Sequence, residues 1–374
     1  MDGALALHVQ RQRPASLPPR SLTKRFIFGA ETRDAALEIF PFDCKHSTPF
    51  YLARPMQETA ASSFSQPLLF EPLFMERLWG GRRLESHFGK KLPTGAPIGE
   101  SWEVVDRVEA QSIVRDGPWR GQSLHDLWTK YRLEVFGGTA DAPRFPLLIK
   151  ILDAQEKLSL QVHPPARAAS ELGGEAKTEF WYVAHAEPAA EVYLGLKQRS
   201  SRAALEEALA RGTVADHLQR FTVQTGDAMF LPSGRVHAVG AGNVLVEVQQ
   251  NSDTTYRLFD WNRLGVDGAP RKLHLEESLC SIDFDDCAAE LIRPAGESLV
   301  QHPLFAVEKW ELACPREVAP PGTFAIVACL HGAVRCAGVN LQPGEFFLAP
   351  ATLEDRSLQP ISAETSLLRI TIPA

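Results

Sequence analysis

From Leu68 onward the chain breaks into short apolar runs separated by glycine and proline, and most of these runs read as β-strands. "FPLLIKIL" (145–152), "EFWYVAH" (179–185), "NVLVEVQQ" (243–250) and "FAIVACLHG" (324–332) are examples. Runs of this length, bounded by turn residues, predict strands. Two segments carry helical spacing instead. "GQSLHDLWTKYRLEVFG" (121–137) repeats apolar residues at Leu124, Leu127, Trp128 and Leu133, which predicts a short surface helix. "SRAALEEALARGTVADHLQRF" (201–221) predicts one or two more, with Gly212 as a stop. Many short strands jointed at Gly and Pro argue for a sandwich or barrel, not for a βαβ fold.

A short internal echo extends this expectation. In "TGDAMFLPSG" (225–234) Gly226 and Pro232 stand six residues apart, and in "PGEFFLAPAT" (343–352) Gly344 and Pro350 repeat that separation around the same aromatic and apolar filling. The echo predicts two related β-barrels. The first copy continues to Gly234 and His237, whereas the second has no histidine there, so the first barrel is expected to hold the chemistry. Residues 1–66 carry Pro-rich and basic patches with little periodicity and are expected to form a poorly ordered extension, with Met56 an alternative start.

Composition narrows the class. With 374 residues, 44% of them hydrophobic and 23% charged, the chain can bury a large core and reads as a soluble globular protein. A net charge of -7 gives no broad field for nucleic acid or an anionic membrane, though it leaves room for a local basic pocket. No run approaches about 18 apolar residues, which predicts no spanning helix. The six cysteines form no CxxC pair, which fits reduced thiols in the cytoplasm better than a disulfide framework or a zinc knuckle.

The candidate chemistry lies in "SLQVHP" (159–164). Gln161 and His163 point to one face of a strand that Pro164 ends. Glu179 opens the next strand-like run, and His237 follows the turn "PSG". An amide, two imidazoles and one carboxylate suit a borderline ion such as Zn²⁺ better than calcium or magnesium. Each residue alone is more often a satisfied core or surface group. Four on adjoining strands change that weighing, because polar groups buried unpaired are costly.

Lys150 is embedded in an apolar run and needs a carboxylate or a bound anion, and Lys177 stands two residues before Glu179. Glu247 breaks "NVLVEVQQ" on the parity opposite Val246 and Val248, and Arg257 follows ten residues later. On the residues alone, a plain Glu247–Arg257 salt bridge stays open.

These stretches, with "ERLWGG" (76–81), "GESWEV" (99–104), "KTEFWYV" (177–183), "LPSGRVHAVGAG" (231–242) and "VEVQQNSDTTYRLFDWNR" (246–263), resemble type I mannose-6-phosphate isomerase (phosphomannose isomerase) in its compact bacterial form. The resemblance runs from about Leu68 to Ala374. It implies a mainly β fold of two cupin-like β-barrels (jelly rolls) with a small helical elaboration. The catalytic domain would be 67–270, with helical insertions, and a second, non-metal domain 271–374. Gly226, Pro232, Gly234 and His237 match the spacing of a cupin signature.

The resemblance further implies one zinc ion per chain on Gln161, His163, Glu179 and His237, with Arg257 the catalytic-site arginine and Ser159, Lys150, Lys177 and Glu247 in the pocket. The implied reaction moves a proton between C1 and C2 of a hexose 6-phosphate. Glu247 is the first candidate for base, and Lys177 the second, provided its pocket lowers its pKa. Arg257 would stabilise developing charge, bind phosphate or hold Glu247 ionised; Ser159 and Lys150 would contact phosphate. The sequence is compatible with a monomer and leaves oligomeric state open. Rival readings are a non-catalytic sugar-phosphate binder, another metal-dependent sugar isomerase, or an oxygenase or epimerase on the same scaffold, since a two-His, one-carboxylate set alone also suits iron.

Overall fold

Alternation along three long strands decides the layering. In the computed structural model, which describes residues 64–139, 141–265, 268–293 and 295–373, the strands Leu147–Ala154, Glu179–Ala186 and Asn243–Gln250 pair antiparallel at the centre of a six-stranded sheet. Ile149, Ile151, Phe180, Tyr182, Val246 and Val248 point to one side. There they pack on Val307, Ile326, Leu348, Leu368 and Ile370 of a second six-stranded sheet, built from the C-terminal part of the chain with Leu68–Leu69 as one edge strand. Leu152, Trp181, Val183 and Leu245 point to the other side and meet Val192, Leu194 and Val239 of a five-stranded sheet. A four-stranded sheet covers the far face of the C-terminal sheet through Val334, Cys336, Leu341 and Leu358. Period-two side-chain alternation sends one set of residues into each core.

The five-stranded sheet has the order Tyr256–Phe259, Leu160–Val162, His237–Val239, Glu191–Leu196, Leu218–Thr222. Its outer face buries Leu160, Val162, Ala238 and Leu258 against Leu205 and Ala208 of the helix Arg202–Ala210 and Leu279 of the helix Leu275–Ser281. Gln161, His237 and Arg257 have the opposite parity to these neighbours. The space between the five-stranded sheet and the six-stranded sheet is therefore where the polar residues collect.

The expected pair of cupin-like barrels is not what forms. All four sheets are open, of six, five, six and four strands, and none closes on itself; with six α-helices, the longest nine residues, the described residues make a mixed α/β arrangement. The site-bearing six-stranded sheet ends at Leu73–Gly81 on one edge and Ala228–Leu231 on the other. Closure depends on edge-to-edge pairing, which neither alternation nor turn grammar encodes. The echo is real locally: Gly226 (φ 97°) and Gly344 (φ 77°) each turn the chain into the strands Ala228–Leu231 and Phe346–Ala349. The first of these strands lies at a sheet edge and the second inside its sheet, so one turn pattern serves two surroundings.

The predicted helix at 121–137 is two, Leu124–Lys130 and Arg132–Phe136, parted at Tyr131 (φ -127°, ψ 34°). That break takes Leu133 off the apolar face, and it is 72% exposed. After Gly212 (φ 70°) the segment 201–221 leaves its helix, makes a short 3₁₀ turn and enters the strand Leu218–Thr222. The reading of residues 1–66 as an extension lies, up to residue 63, outside the described residues. Among the described residues no helix is long and apolar enough to cross a membrane.

Trp128 anchors the helical elaboration. It is fully buried, its ring meets Phe136 and Phe145 edge-on at 4.9 and 5.5 Å, and its Nε1 donates to the Ala142 carbonyl at 2.8 Å. Trp128→Ala is expected to destabilise the fold by about 3–5 kcal/mol, through the cavity left and the carbonyl stranded. Urea unfolding checks this as a lowered midpoint at unchanged slope.

Candidate active site

Strand register assembles the site before any side chain is considered. His237 pairs with Gln161 across one edge of the Leu160–Val162 strand, and Arg257 pairs with Gln161 across the other. On the facing sheet Lys150 pairs with Glu247, and Glu247 with Trp181, in one transverse row. Glu179 lies two residues along from Trp181, on the same face.

Ligand atoms of His163, Glu179 and His237 lie within 4.8 Å of one another, and all three residues are buried. His163 Nε2 stands 3.5 Å from one Glu179 oxygen and His237 Nε2 3.2 Å from the other. Both imidazoles have a fixed tautomer. Nδ1–H of His163 donates to the Thr254 carbonyl and Nδ1–H of His237 to the Arg235 carbonyl, each at 2.9 Å, so both Nε2 lone pairs face Glu179. The turn carrying His237 is tied to the other histidine, because the Gly234 amide donates to the His163 carbonyl at 2.9 Å with Gly234 at φ 94°.

The protonation states suit a cation. Burial, reinforced by the nearby Lys177 ammonium, pushes His163 down to about 4, and burial also lowers His237. Burial alone would raise Glu179, but the Lys177 ammonium outweighs it, and the carboxyl sits well below the usual range. Two neutral imidazoles and an ionised carboxylate are what a divalent ion needs. Glu179 Oε1 and His163 Nε2 are buried with no hydrogen-bond partner, and Glu179 Oε2 has the Lys177 ammonium at 2.9 Å, a costly arrangement that a metal ion would resolve. These three residues can hold a metal ion.

Gln161 lies beside the triad, with its amide nitrogen 3.2 Å from His237 Nε2. Because that ring nitrogen is an acceptor, the amide donates to it. Ligation through Gln161 Oε1 requires the amide to turn over.

Next to the triad is a cavity of about 410 Å³ whose walls include Ser159, Gln161, Lys150, Lys177, Glu247 and Arg257. The five expected pocket and catalytic residues and the fourth expected metal ligand, Gln161, thus line one space. Glu247 Oε2 accepts from Trp181 Nε1 at 3.0 Å, while its Oε1 has no hydrogen-bond partner and stands 3.4 Å from Lys150 and 3.9 Å from Lys177. Glu247 has no ion pair with Arg257, so the simple salt bridge left open by the sequence is absent.

Lys177 differs from the expectation for a neutral base. Burial would lower its pKa, but Glu179 at 2.9 Å, then Glu247 and Asp253, outweigh burial and raise it. Arg257 has no carboxylate within ion-pair distance among the described residues. One amine donates to the Lys272 carbonyl at 2.8 Å, and its buried Nε has no partner. By contrast, the nearby Arg271 is committed to both oxygens of Asp260 at 2.6 Å. Arg257 is the pocket's unspent cation.

Several pocket residues escape the sequence reading. Glu100 and Arg77 form a bidentate pair at 2.9 and 3.3 Å on the wall beside Lys150, and Asp253 and Arg271 also line the cavity. Glu100 carries a usable signal, since it is a charge inside the apolar stretch "IGESWEV", as Lys150 is in its own run. Arg77, Asp253 and Arg271 lie in ordinary polar surroundings and are picked out only by the tertiary structure.

Comparison with known proteins agrees with this arrangement. The profile described as "Phosphomannose isomerase type I, catalytic domain" matches residues 68–185. The chain is 35% identical to mannose-6-phosphate isomerase ManA of Bacillus subtilis over 79% of its own length and 96% of that protein's. It is 34% identical to the mannose-6-phosphate isomerase of Streptococcus mutans over 78% of its length and 94% of that protein's. A crystal structure of the Bacillus subtilis mannose 6-phosphate isomerase superposes with a TM-score of 0.74 at 32% identity, covering 82% of this chain and 99% of that one. A structure titled as a putative mannosephosphate isomerase from Archaeoglobus fulgidus shares the fold, with a TM-score of 0.69 at 22% identity, over 84% of this chain and all of that one. With more than a third of positions shared over nearly the whole of a curated relative, and the polar residues converging as described, the chain belongs to the type I mannose-6-phosphate isomerase family.

Proposed function

We propose that this chain interconverts mannose 6-phosphate and fructose 6-phosphate, using one zinc ion per chain bound by Gln161, His163, Glu179 and His237. The observation that carries the reading is the juxtaposition of an orphaned His–Glu–His cluster with a cavity holding a free arginine and a half-anchored carboxylate. When bound, zinc supplies positive charge that polarises the sugar carbonyl and helps to orient the open chain.

The chain's own residues do the rest. Trp181 fixes one oxygen of Glu247, leaving Oε1 to take the proton from C2 of the aldose and return it to C1. O2 loses a proton and O1 gains one, so the exchange balances without a redox cofactor. Lys177, held as an ammonium, is suited to stabilising the oxygen charge that develops between the two proton transfers. Arg257 binds the phosphate with help from the Ser159 hydroxyl, because it alone among the described pocket cations has no carboxylate within ion-pair distance. The free thiols of Cys280, Cys287 and Cys314 fit a reducing compartment such as the cytoplasm.

Loss of His237 tests the metal assignment. His237→Ala is expected to lower zinc per chain and isomerase turnover together, each by at least about 100-fold at trace zinc. Zinc analysis of the purified protein, beside a coupled assay before and after chelation and zinc restoration, reads both. Full occupancy with native turnover would refute the ligand set.

Glu247→Gln separates base from scaffold. It is expected to lower kcat about 10²–10⁴-fold while zinc content holds and KM changes little. Arg257→Ala is expected to act on the other constant, raising KM for the sugar phosphate roughly 10–100-fold, the loss of one charge-assisted contact. Inorganic phosphate, if it competes for that subsite, should inhibit this variant more weakly than the wild type.

A further inference from the structure

Lys150 presents an electrostatic puzzle. Its side chain is almost wholly buried, and three carboxylates surround the ammonium: Glu247 at 3.4 Å, Glu100 at 3.7 Å and Asp253 at 3.9 Å. None is at the roughly 2.7–2.9 Å of a charge-assisted hydrogen bond. The ammonium is compensated by a field from three sides while its N–H donors are left for something else. The cavity is directly in front of it.

Glu100 is what keeps it there. Its carboxylate is pinned by three other donors: Arg77 Nε at 2.9 Å, Arg77 Nη2 at 3.3 Å and Trp102 Nε1 at 2.6 Å. The Trp102 ring in turn lies 4.9 Å below the Lys150 ammonium. Cross-strand register enforces this, since Trp102 pairs with Lys150 and Glu100 with Leu152 on adjoining strands. An ion pair with Arg77 alone would not need Oε2 to face both Trp102 and Lys150. The arrangement is a brace: Arg77 and Trp102 hold Glu100, and Glu100 and Trp102 hold Lys150 beside Glu247 Oε1.

We propose that Glu100 is a positioning residue for the isomerisation, holding the Lys150 ammonium so that its donors meet oxygens at the reacting end of the sugar beside Glu247. The three surrounding carboxylates make Lys150 a poor phosphate anchor, since a dianion brought to it would face Glu100, Glu247 and Asp253 at short range. Phosphate belongs at Arg257, and Lys150 serves the hydroxyl and carbonyl oxygens. This assignment rests on the isomerase reading above and adds a division of labour between the pocket's cations.

The test is a double-mutant cycle on the full chain loaded with zinc, using Glu100→Gln, Lys150→Met and the pair, with kcat, KM, zinc per chain and thermal midpoint measured for each. Glu100→Gln is expected to lower kcat about 10–100-fold with KM within about threefold and zinc retained, as a misplaced catalytic-site group does. In the Lys150→Met background the same change should have no further effect on kcat. Glu100→Asp, which restores the charge, should recover part of the loss, and it takes the place of the glutamine variant in the cycle if that variant does not fold. Additive losses in the cycle, or native turnover in the Glu100 variants that fold, would overturn the assignment. A wild-type chain that binds zinc but does not isomerise either hexose phosphate would instead overturn the function on which it rests.

Discussion

A carboxylate with no access to solvent, Glu179, is the group on which the rest of the site depends. Ionised and buried, it is tolerable only if positive charge stands close to it. Lys177 supplies that charge from 2.9 Å, and the two imidazole Nε2 atoms are turned toward it by hydrogen bonds on their far sides to the carbonyls of Thr254 and Arg235. Burial keeps the histidines neutral, opposing their protonation more strongly than the carboxylate favours it, and the two carbonyls keep their Nε2 lone pairs inward. A metal ion satisfies the orphaned Glu179 Oε1 and His163 Nε2 at once. The cost of this cluster in the absence of such an ion is part of why it reads as a ligand set and not as packing.

The fold delivers that cluster by using the two faces of one sheet for different purposes. Ile149, Ile151, Val246 and Val248 are committed to a dry interface with the C-terminal sheet, where volume and shape matter and charge has no place. Their immediate neighbours Lys150 and Glu247 face the opposite way, toward the five-stranded sheet. Rigidity on one face positions charge on the other. The arrangement also explains how so many ionised groups tolerate burial: Lys177 answers Glu179, Lys150 answers Glu247, Arg77 answers Glu100, and Arg271 answers Asp260. Arg257 is left over, and a charged group left over in a largely compensated pocket marks where a charged ligand belongs.

Much of this was legible along the chain, for identifiable reasons. Embedded charge in an apolar strand is conspicuous and marks Lys150 and Glu247; shared parity marks Gln161 and His163. Glu100 carries a weaker form of the same signature, because Ser101 and Glu103 add further polar residues to its stretch. Asp253, Arg271 and Arg77 carry no such mark, being polar residues in polar stretches. The barrel expectation failed for a different reason. Gly226 and Gly344 specify two similar turns, but whether the strands that follow lie at an edge or in the interior, and whether edges meet, is decided by partners far away in sequence.

Sequence alone determined the strand set, the face each residue takes on its strand, and the chemical types available for a metal and a sugar phosphate. These follow from local sterics and from the period of two, which each segment carries within itself. Only the tertiary structure decided that the sheets stay open, that Glu247 answers Lys150 and Trp181 and not Arg257, and that Lys177 sits beside Glu179 as a cation. Those outcomes depend on distances between segments as much as about 150 residues apart, where pairing, desolvation and charge are set jointly by the whole fold.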